Sequence, residues 1–144
     1  MKDQNYKNHV RLVPIYHFAL AIILLAVIVL AIINLISFIR HDRHILQPLI
    51  FVLISIALLI IAVLLRTFPL MAQDRAIKAE ENLRHFALTG KLLDGRLTLS
   101  QIIALRFASD NEFVILADRA IIENLSNKDI KKAIQYWRAD HYRV

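Results

Sequence analysis

Two long apolar runs, separated by five residues, constrain this chain more than any other feature of its sequence. Residues 15–39 read IYHFALAIILLAVIVLAIINLISFI and contain no Asp, Glu, Lys or Arg. Residues 45–65 read ILQPLIFVLISIALLIIAVLL and are equally free of charge. With a rise of about 1.5 Å per residue, helices of these lengths would each cross a hydrocarbon core of about 30 Å. The pattern predicts a transmembrane hairpin of two antiparallel helices.

The charges that flank the two runs predict how the hairpin is oriented. Residues 1–13 carry three Lys or Arg and residues 66–85 carry four, whereas the connecting loop 40–44 carries two. Because Lys and Arg are retained on the cytoplasmic side, this excess predicts that both termini are cytoplasmic. The first run is too long for the apolar core of a signal peptide and ends without a small-residue cleavage motif, so we expect it to be retained.

The rest of the composition favours helices. The chain has two glycines and three prolines, which are too few for the many turns of a β protein. We therefore expect an all-α membrane protein in three parts: a cytoplasmic N-terminal segment (1–13), a hairpin (14–66) and a small cytoplasmic helical domain (67–144). Pro69 predicts a kink or a new start in the helix that leaves the membrane.

Small side chains dominate one face of the helix that follows the second run. At 100° per residue, a stripe about 100° wide collects these residues, while the charged residues lie elsewhere: Ala72, Ala76, Ala79, Leu83, Phe86, Ala87 and Gly90. Small side chains let another helix approach closely, whether it belongs to this domain or to another chain. The stripe is therefore a candidate partner or packing face.

Three further helices are predicted from capping motifs at Thr98, Ser109 and Ser126, and they span about 99–108, 111–125 and 128–139. In the middle helix, Ile115 and Ile122 project away from the main apolar stripe. That helix is therefore expected to be covered on both sides, and the two isoleucines join the candidate partner face. In the last helix, basic residues are candidate contacts for anionic lipid headgroups: Lys128, Lys131, Lys132 and Arg138.

A search for chemistry finds no catalytic motif and no expected cofactor, metal or small-molecule substrate. The chain has no cysteine, which excludes thiolate ligands and nucleophiles. His41 and His44 lack an evident third protein ligand besides Asp42. For an enzyme, the least unfavourable candidates are Glu81, Arg84 and His85.

The charge distribution argues against nucleic acid as a partner. Residues 66–144 hold 13 Lys or Arg and 10 Asp or Glu, a net charge of only +3. No helix there carries a stripe of base-reading Arg, Asn or Gln side chains. A membrane-tethered nucleic-acid-binding module is thus the weakest alternative.

Four strings resemble a family of uncharacterised small bacterial membrane proteins, known as a domain of unknown function: QNYKNHV (4–10), QDRAIKAEENLRHFALTGK (73–91), QIIALRFASD (101–110) and IKKAIQYWRAD (130–140). The resemblance covers nearly the whole chain. It implies a two-span membrane protein and carries no catalytic residue or cofactor.

These patterns together favour a non-enzymatic inner-membrane protein that serves as an anchor, scaffold or accessory subunit of a membrane assembly. The expected partners are the lipid bilayer and either another membrane protein or a second copy of this chain. The alternative is a transport-related component whose path forms only on homo-oligomerisation.

Overall fold

The computed structural model of the protein describes residues 5–6 and 13–140. Within them the chain forms five α-helices and no β-strand, which confirms the all-α prediction for this part of the chain. The helices are α1 (Ala21–Arg40), preceded by a π-helical segment (Ile15–Leu20), α2 (Leu46–Thr89), α3 (Leu99–Leu105), α4 (Asp110–Ile122) and α5 (Asn127–Ala133). The predicted N-terminal segment 1–13 lies almost wholly outside the described residues.

The chain divides into two compact units between Phe68 and Pro69. Helix α2 continues through this point, with Pro69 inside it. Of the two alternatives predicted at Pro69, a kink or a new start, the new start does not occur. Proline removes only one backbone hydrogen bond, to the Leu65 carbonyl, and the regular ladder on both sides holds the helix together.

The first unit is a hairpin made by α1 and the first half of α2. The helical stretches Ile15–Arg40 and Leu46–Thr89 are both long and apolar enough to cross a membrane, and only 11% of the residues in each apolar window are buried. A core helix of a soluble protein would be mostly buried. The Tyr16 hydroxyl donates a hydrogen bond to the Ala62 carbonyl and so joins the two arms.

The second unit is a small helical domain whose helices begin at capped residues. Thr98 forms the predicted capping box with Gln101, since each side chain accepts a hydrogen bond from the other residue's backbone N–H. Ser126 accepts from the Asp129 N–H at 3.2 Å. Ser109 forms a capping box with Glu112, and the Ser109 N–H donates to the Glu112 carboxylate at 3.4 Å.

The helical domain has one apolar core, built where α3, α4 and α5 meet. Its largest fully buried side chains are Phe107, Phe113, Ile102, Leu105 and Ile130. The small residues Ala104, Ala117 and Ala120 are also buried, which lets the helix backbones approach closely.

All three predicted helices of this domain end earlier than expected. Helix α3 ends at Leu105 and not at 108, and α4 ends at Ile122 and not at 125. Asn124 takes a left-handed conformation, with φ of 49°, and Leu125 N–H then donates to the Ala120 carbonyl. These contacts form a helix stop that resembles the usual glycine stop, with Asn in its place.

The last predicted helix, 128–139, is wrong over its second half. Helix α5 ends at Ala133, and residues 134–140, here termed the C-terminal strap, cross the end of α3. The Glu112 carboxylate accepts hydrogen bonds from the N–H groups of Gln135 and Tyr136 at 3.1 and 3.0 Å. The Arg138 N–H donates to the Phe107 carbonyl at 2.7 Å. These tertiary hydrogen bonds replace the helical ones that the apolar spacing predicts.

Candidate functional site

The part of α2 beyond Pro69 packs its polar face onto the helical domain. Ile77 and Glu81 are 6% and 5% exposed, and the Arg84 side chain is 10% exposed. The simple amphipathic rule would turn this charged face to water. Here the charged face points into the domain instead, because its charged groups have partners there.

The small-residue stripe consequently points outward. Every one of its members, from Ala72 to Gly90, is exposed. Its two large apolar side chains, Leu83 and Phe86, are 68% and 51% exposed. The sequence left open whether this face packs against its own domain or against another chain. Within the described residues, its own domain does not cover it.

Helix α4 also exposes two apolar side chains. Ile115 and Ile122 are 70% and 83% exposed, on the side of α4 away from the core. The described chain therefore covers α4 on one side only. The second cover expected from the sequence would have to come from outside these residues.

On the face of α2 opposite the stripe, Arg84 is the centre of an ionic cluster in which Arg84 and Glu81 are buried and Asp110 is exposed. Its Nη1 lies 3.0 Å from Glu81 Oε2, and its Nη2 lies 2.6 Å from Asp110 Oδ1. The same Nη2 donates to the Ala108 carbonyl at 2.7 Å. With Glu81 on Nη1 and with both Asp110 and the Ala108 carbonyl on Nη2, the guanidinium is compensated despite its burial.

A second arginine, Arg106, is also buried, but its guanidinium has fewer hydrogen-bond partners than that of Arg84. The residue is 9% exposed, its Nη1 lies 3.2 Å from Asp140 Oδ2, and its guanidinium covers the Phe107 ring at 4.7 Å. Its Nε and Nη1 donate no hydrogen bond to any described protein group. Burial lowers the pKa of Arg106, and the carboxylates around it, Asp140 first, oppose that shift. The group stays cationic at any physiological pH.

Arg106 faces a polar cleft of about 400 Å³. Its walls include the side chains of Glu80, Glu81, Arg138 and Asp140. Three carboxylates against two guanidinium groups do not make a strong site for an anion. Within the described residues no group of three His, Asp or Glu side chains could hold a metal ion. The cleft has room for water molecules that would satisfy the free donors of Arg106.

The three residues named as the least unfavourable catalytic candidates all have structural contacts. Glu81 and Arg84 pair with each other, and Arg138 Nη1 lies 3.9 Å from Glu81 Oε1. His85 Nδ1 lies 2.7 Å from the Lys91 carbonyl, and its ring meets the Phe113 ring edge-on. Their arrangement stabilises the junction between α2 and the domain.

The four candidate headgroup contacts do not share one environment. Lys128 and Lys132 are exposed on α5, whereas the Lys131 Nζ lies 5.8 Å from the centre of the Phe107 ring. Arg138 lies in the C-terminal strap and points towards Glu81. Lys128, Lys132 and Arg138, whose side chain is 56% exposed, have the exposure that a headgroup contact needs, whereas Lys131 is partly buried.

Sequence reasoning missed Arg106, Asp140 and the contact of Glu112 with the C-terminal strap. One signal was available for Arg106, because it interrupts the apolar run Ile102–Ala108 and so had to be buried with its neighbours or break the helix. For Asp140 and for the strap contact of Glu112 no local signal exists, since the partners lie 23 or more residues away in the sequence.

The fold and these surfaces define an all-helical protein with two candidate membrane-spanning helices and a helical domain that leaves an apolar face exposed. The chain belongs to a family of unknown function, DUF6526, whose sequence profile matches residues 1–144. The resemblance to a family of unknown function is thereby confirmed. No curated protein and no solved structure matches the chain.

Proposed function

We propose that the protein is inserted in the bacterial inner membrane through residues 15–39 and 45–65, with both termini in the cytoplasm. The support is that the described protein leaves the two long apolar helices largely uncovered. In each helix, only 11% of the most apolar stretch is buried. Exposed apolar surface of this size is stable in lipid and not in water. The Lys and Arg excess in the flanks supports the orientation.

Its role in this proposal is that of an anchor, scaffold or accessory subunit of a membrane assembly, without catalysis of its own. One observation carries the proposal: α2 packs its charged face inward and leaves its small-residue stripe exposed. Ala76 and Ala79 in particular let the backbone of a partner helix approach closely, while Leu83 and Phe86 offer area to bury. The partner we infer is a helix of another membrane-associated protein.

Site-specific photocross-linking in native membranes tests this role. A photoreactive side chain is placed at Ala79 on the stripe or, as the matched control, at Lys78, which is exposed but points 100° away. We expect a discrete adduct from position 79 and none from position 78. Equal labelling at both positions, or no adduct at either, would reject the stripe as a partner face.

A charged substitution provides the complementary test. Ala76→Glu is expected to abolish the adduct formed at position 79, because it places an unpaired carboxylate in the interface. Lys78→Glu is the charge control and should leave the adduct intact. Since both positions are exposed, stability should change by no more than about 0.5 kcal/mol in either variant.

The orientation has its own test, which uses the absence of cysteine from the chain. In intact spheroplasts an impermeant maleimide should label His44→Cys, in the loop between the helices, and should not label Ser100→Cys in the helical domain. Labelling of Ser100→Cys alone would show that the termini lie outside.

A further inference from the structure

Asn34 places a polar amide in a groove of the hairpin unit that is otherwise lined almost entirely by apolar side chains. It lines a groove of about 400 Å³ between the two arms, with Val27 and Ala31 of α1 and Phe51 and Ser55 of α2. Apart from the Asn34 amide and the Ser55 hydroxyl, the lining side chains are apolar. The groove is open along one side of the hairpin, in the segment that we propose to be in lipid.

The other polar side chains of the hairpin unit are satisfied or lie at its ends. Ser55 Oγ donates to the Phe51 carbonyl at 2.7 Å, and Thr67 Oγ1 donates to the Val63 carbonyl at 2.8 Å. Ser37 lies within one turn of the C-terminal end of α1, and Gln47 is the second residue of α2. The Asn34 side chain has no hydrogen bond to any described group, although its amide carries two donors and an acceptor.

The depth of Asn34 makes this amide costly. It lies six residues before Arg40, about 9 Å along the helix axis. A hydrocarbon core of about 30 Å centred on the 26-residue helix would begin about 4 to 5 Å from each end, so Asn34 lies inside it. Its side chain has a single methylene group and cannot reach back to the headgroups as a lysine can. An unpaired amide in lipid is expensive and is expected to find a partner.

We infer that the groove is an interface with a second copy of this chain, in which the two Asn34 amides hydrogen-bond to each other. The inference rests on the membrane insertion proposed above and is independent of the stripe on α2. Two copies inserted in the same orientation carry Asn34 at the same depth. A twofold axis along the membrane normal therefore brings equal residues together, and such an interface is self-complementary.

The chemistry of the groove fits this occupant. An amide both donates and accepts, so two asparagines form a reciprocal pair, whereas an acyl chain offers Asn34 no partner at all. Ala31 and Ser55, which are 7% and 2% exposed, form a floor of small side chains. Small residues at this position let a helix of the second copy approach closely enough for the pair to form.

Disulfide cross-linking in membranes that contain two differently tagged copies of the full chain tests the inference. Val27 and Val29 offer matched positions because both are valines, 37% and 45% exposed, and about 3 Å apart in depth. Val27 shares the side of α1 that carries Asn34, and Val29 points 160° away from Val27. We expect Val27→Cys to form a disulfide-linked dimer of the two tagged copies and Val29→Cys to form little.

Substitution of Asn34 in the Val27→Cys background then separates the amide from the shape of the groove. Asn34→Leu should weaken self-association by about three- to fifteenfold, the range that one interhelical hydrogen bond supplies. Asn34→Gln keeps the amide and should restore most of the cross-linked product. Membrane levels of each variant are measured in the same samples, so that loss of dimer is not loss of protein.

Three results would overturn the inference: equal cross-linking at positions 27 and 29, no effect of Asn34→Leu at equal membrane levels, or a cross-linked product that contains only one tagged copy and another protein. The Ala76→Glu variant should leave the Val27→Cys product unchanged. This difference keeps a failure of the twofold interface distinguishable from a failure of the stripe on α2. If neither span enters the membrane, the impermeant maleimide will not label His44→Cys in intact spheroplasts, and this result separates a failure of the proposed insertion from a failure of the twofold interface.

Discussion

The guanidinium carbon of Arg84 lies 4.3 Å from the centre of the Phe113 ring, and this contact joins α2 to α4. The ring covers one face of the cation, while the nitrogens remain free to bind Glu81, Asp110 and the Ala108 carbonyl in the plane of the group. Only arginine combines a planar cation with several donors in fixed directions. The geometry explains why α2 can pack a charged face onto an apolar core.

Replacing Arg84 should release α2 from the helical domain. We expect Arg84→Met to cost about 3 kcal/mol, because it leaves the buried Glu81 carboxylate without its nearest cation. Arg84→Lys should recover part of this loss but not the stacking. Pulse proteolysis of the full chain in detergent micelles measures the effect, and Arg96→Met, which removes an exposed ion pair with Asp94, is the control. Equal stability of the Arg84→Met and Arg96→Met variants would contradict the assignment.

Glu112 should hold the C-terminal strap in place. Its carboxylate accepts from the N–H groups of Gln135 and Tyr136, so Glu112→Ala leaves two backbone donors without acceptors. Hydrogen bonds to a charged group are each worth about 1.5–3 kcal/mol. We expect hydrogen exchange at these two amides to rise at least tenfold, while Glu123→Ala, which removes an exposed carboxylate from the end of α4, should leave both amides protected.

The same substitution at two phenylalanines should have opposite consequences. Phe107 is fully buried, and Phe107→Ala should destabilise the domain by about 3–5 kcal/mol. Phe86 is 51% exposed on the stripe, so Phe86→Ala should change stability by less than about 1 kcal/mol but reduce the photocross-linked adduct at position 79. Denaturant titration in micelles and adduct yield give the two readouts. A stable Phe107→Ala variant would contradict the assignment of the core.

Asp94 should titrate well below an ordinary aspartate. The Arg96 side chain and backbone N–H hydrogen-bond to it and lower its pKa to about 2. Because the pKa of the folded state is depressed, the contribution of this turn is fully present above the ordinary value of 3.8 and is lost as the pH falls through about 2. A carboxyl-carbon NMR titration checks the midpoint, and Arg96→Ala should return it towards 3.8.

Local signals predicted the beginnings of helices better than their ends. Thr98, Ser109 and Ser126 each precede a helix, as their capping motifs predict, since a cap depends on residues three positions apart. The ends of α4 and α5 depend on partners elsewhere in the fold. The apolar spacing of Ile130, Ile134 and Trp137 would continue a helix, but Glu112 holds the backbone after Ile134 in the strap.

The apolar faces were visible in the sequence, but their surroundings were not. The periodicity of Ala72, Ala76 and Ala79 shows which residues share a side of α2, because helix geometry is local. Whether that side is covered depends on where the charged groups of the opposite side find partners. Asp110 and the Ala108 carbonyl supply them from 24 to 26 residues further along the chain.

By itself, the sequence determined the two uncharged apolar runs, the helical class and the capped starts of the domain helices, since each depends on composition or on residues within a few positions. Only the tertiary structure decided that α2 packs its polar face inward, that the chain leaves the helix at Ile134 and that the Asn34 side chain finds no partner among the described residues. Burial and hydrogen bonding at those positions involve residues far apart in the sequence, and no local pattern encodes such distances.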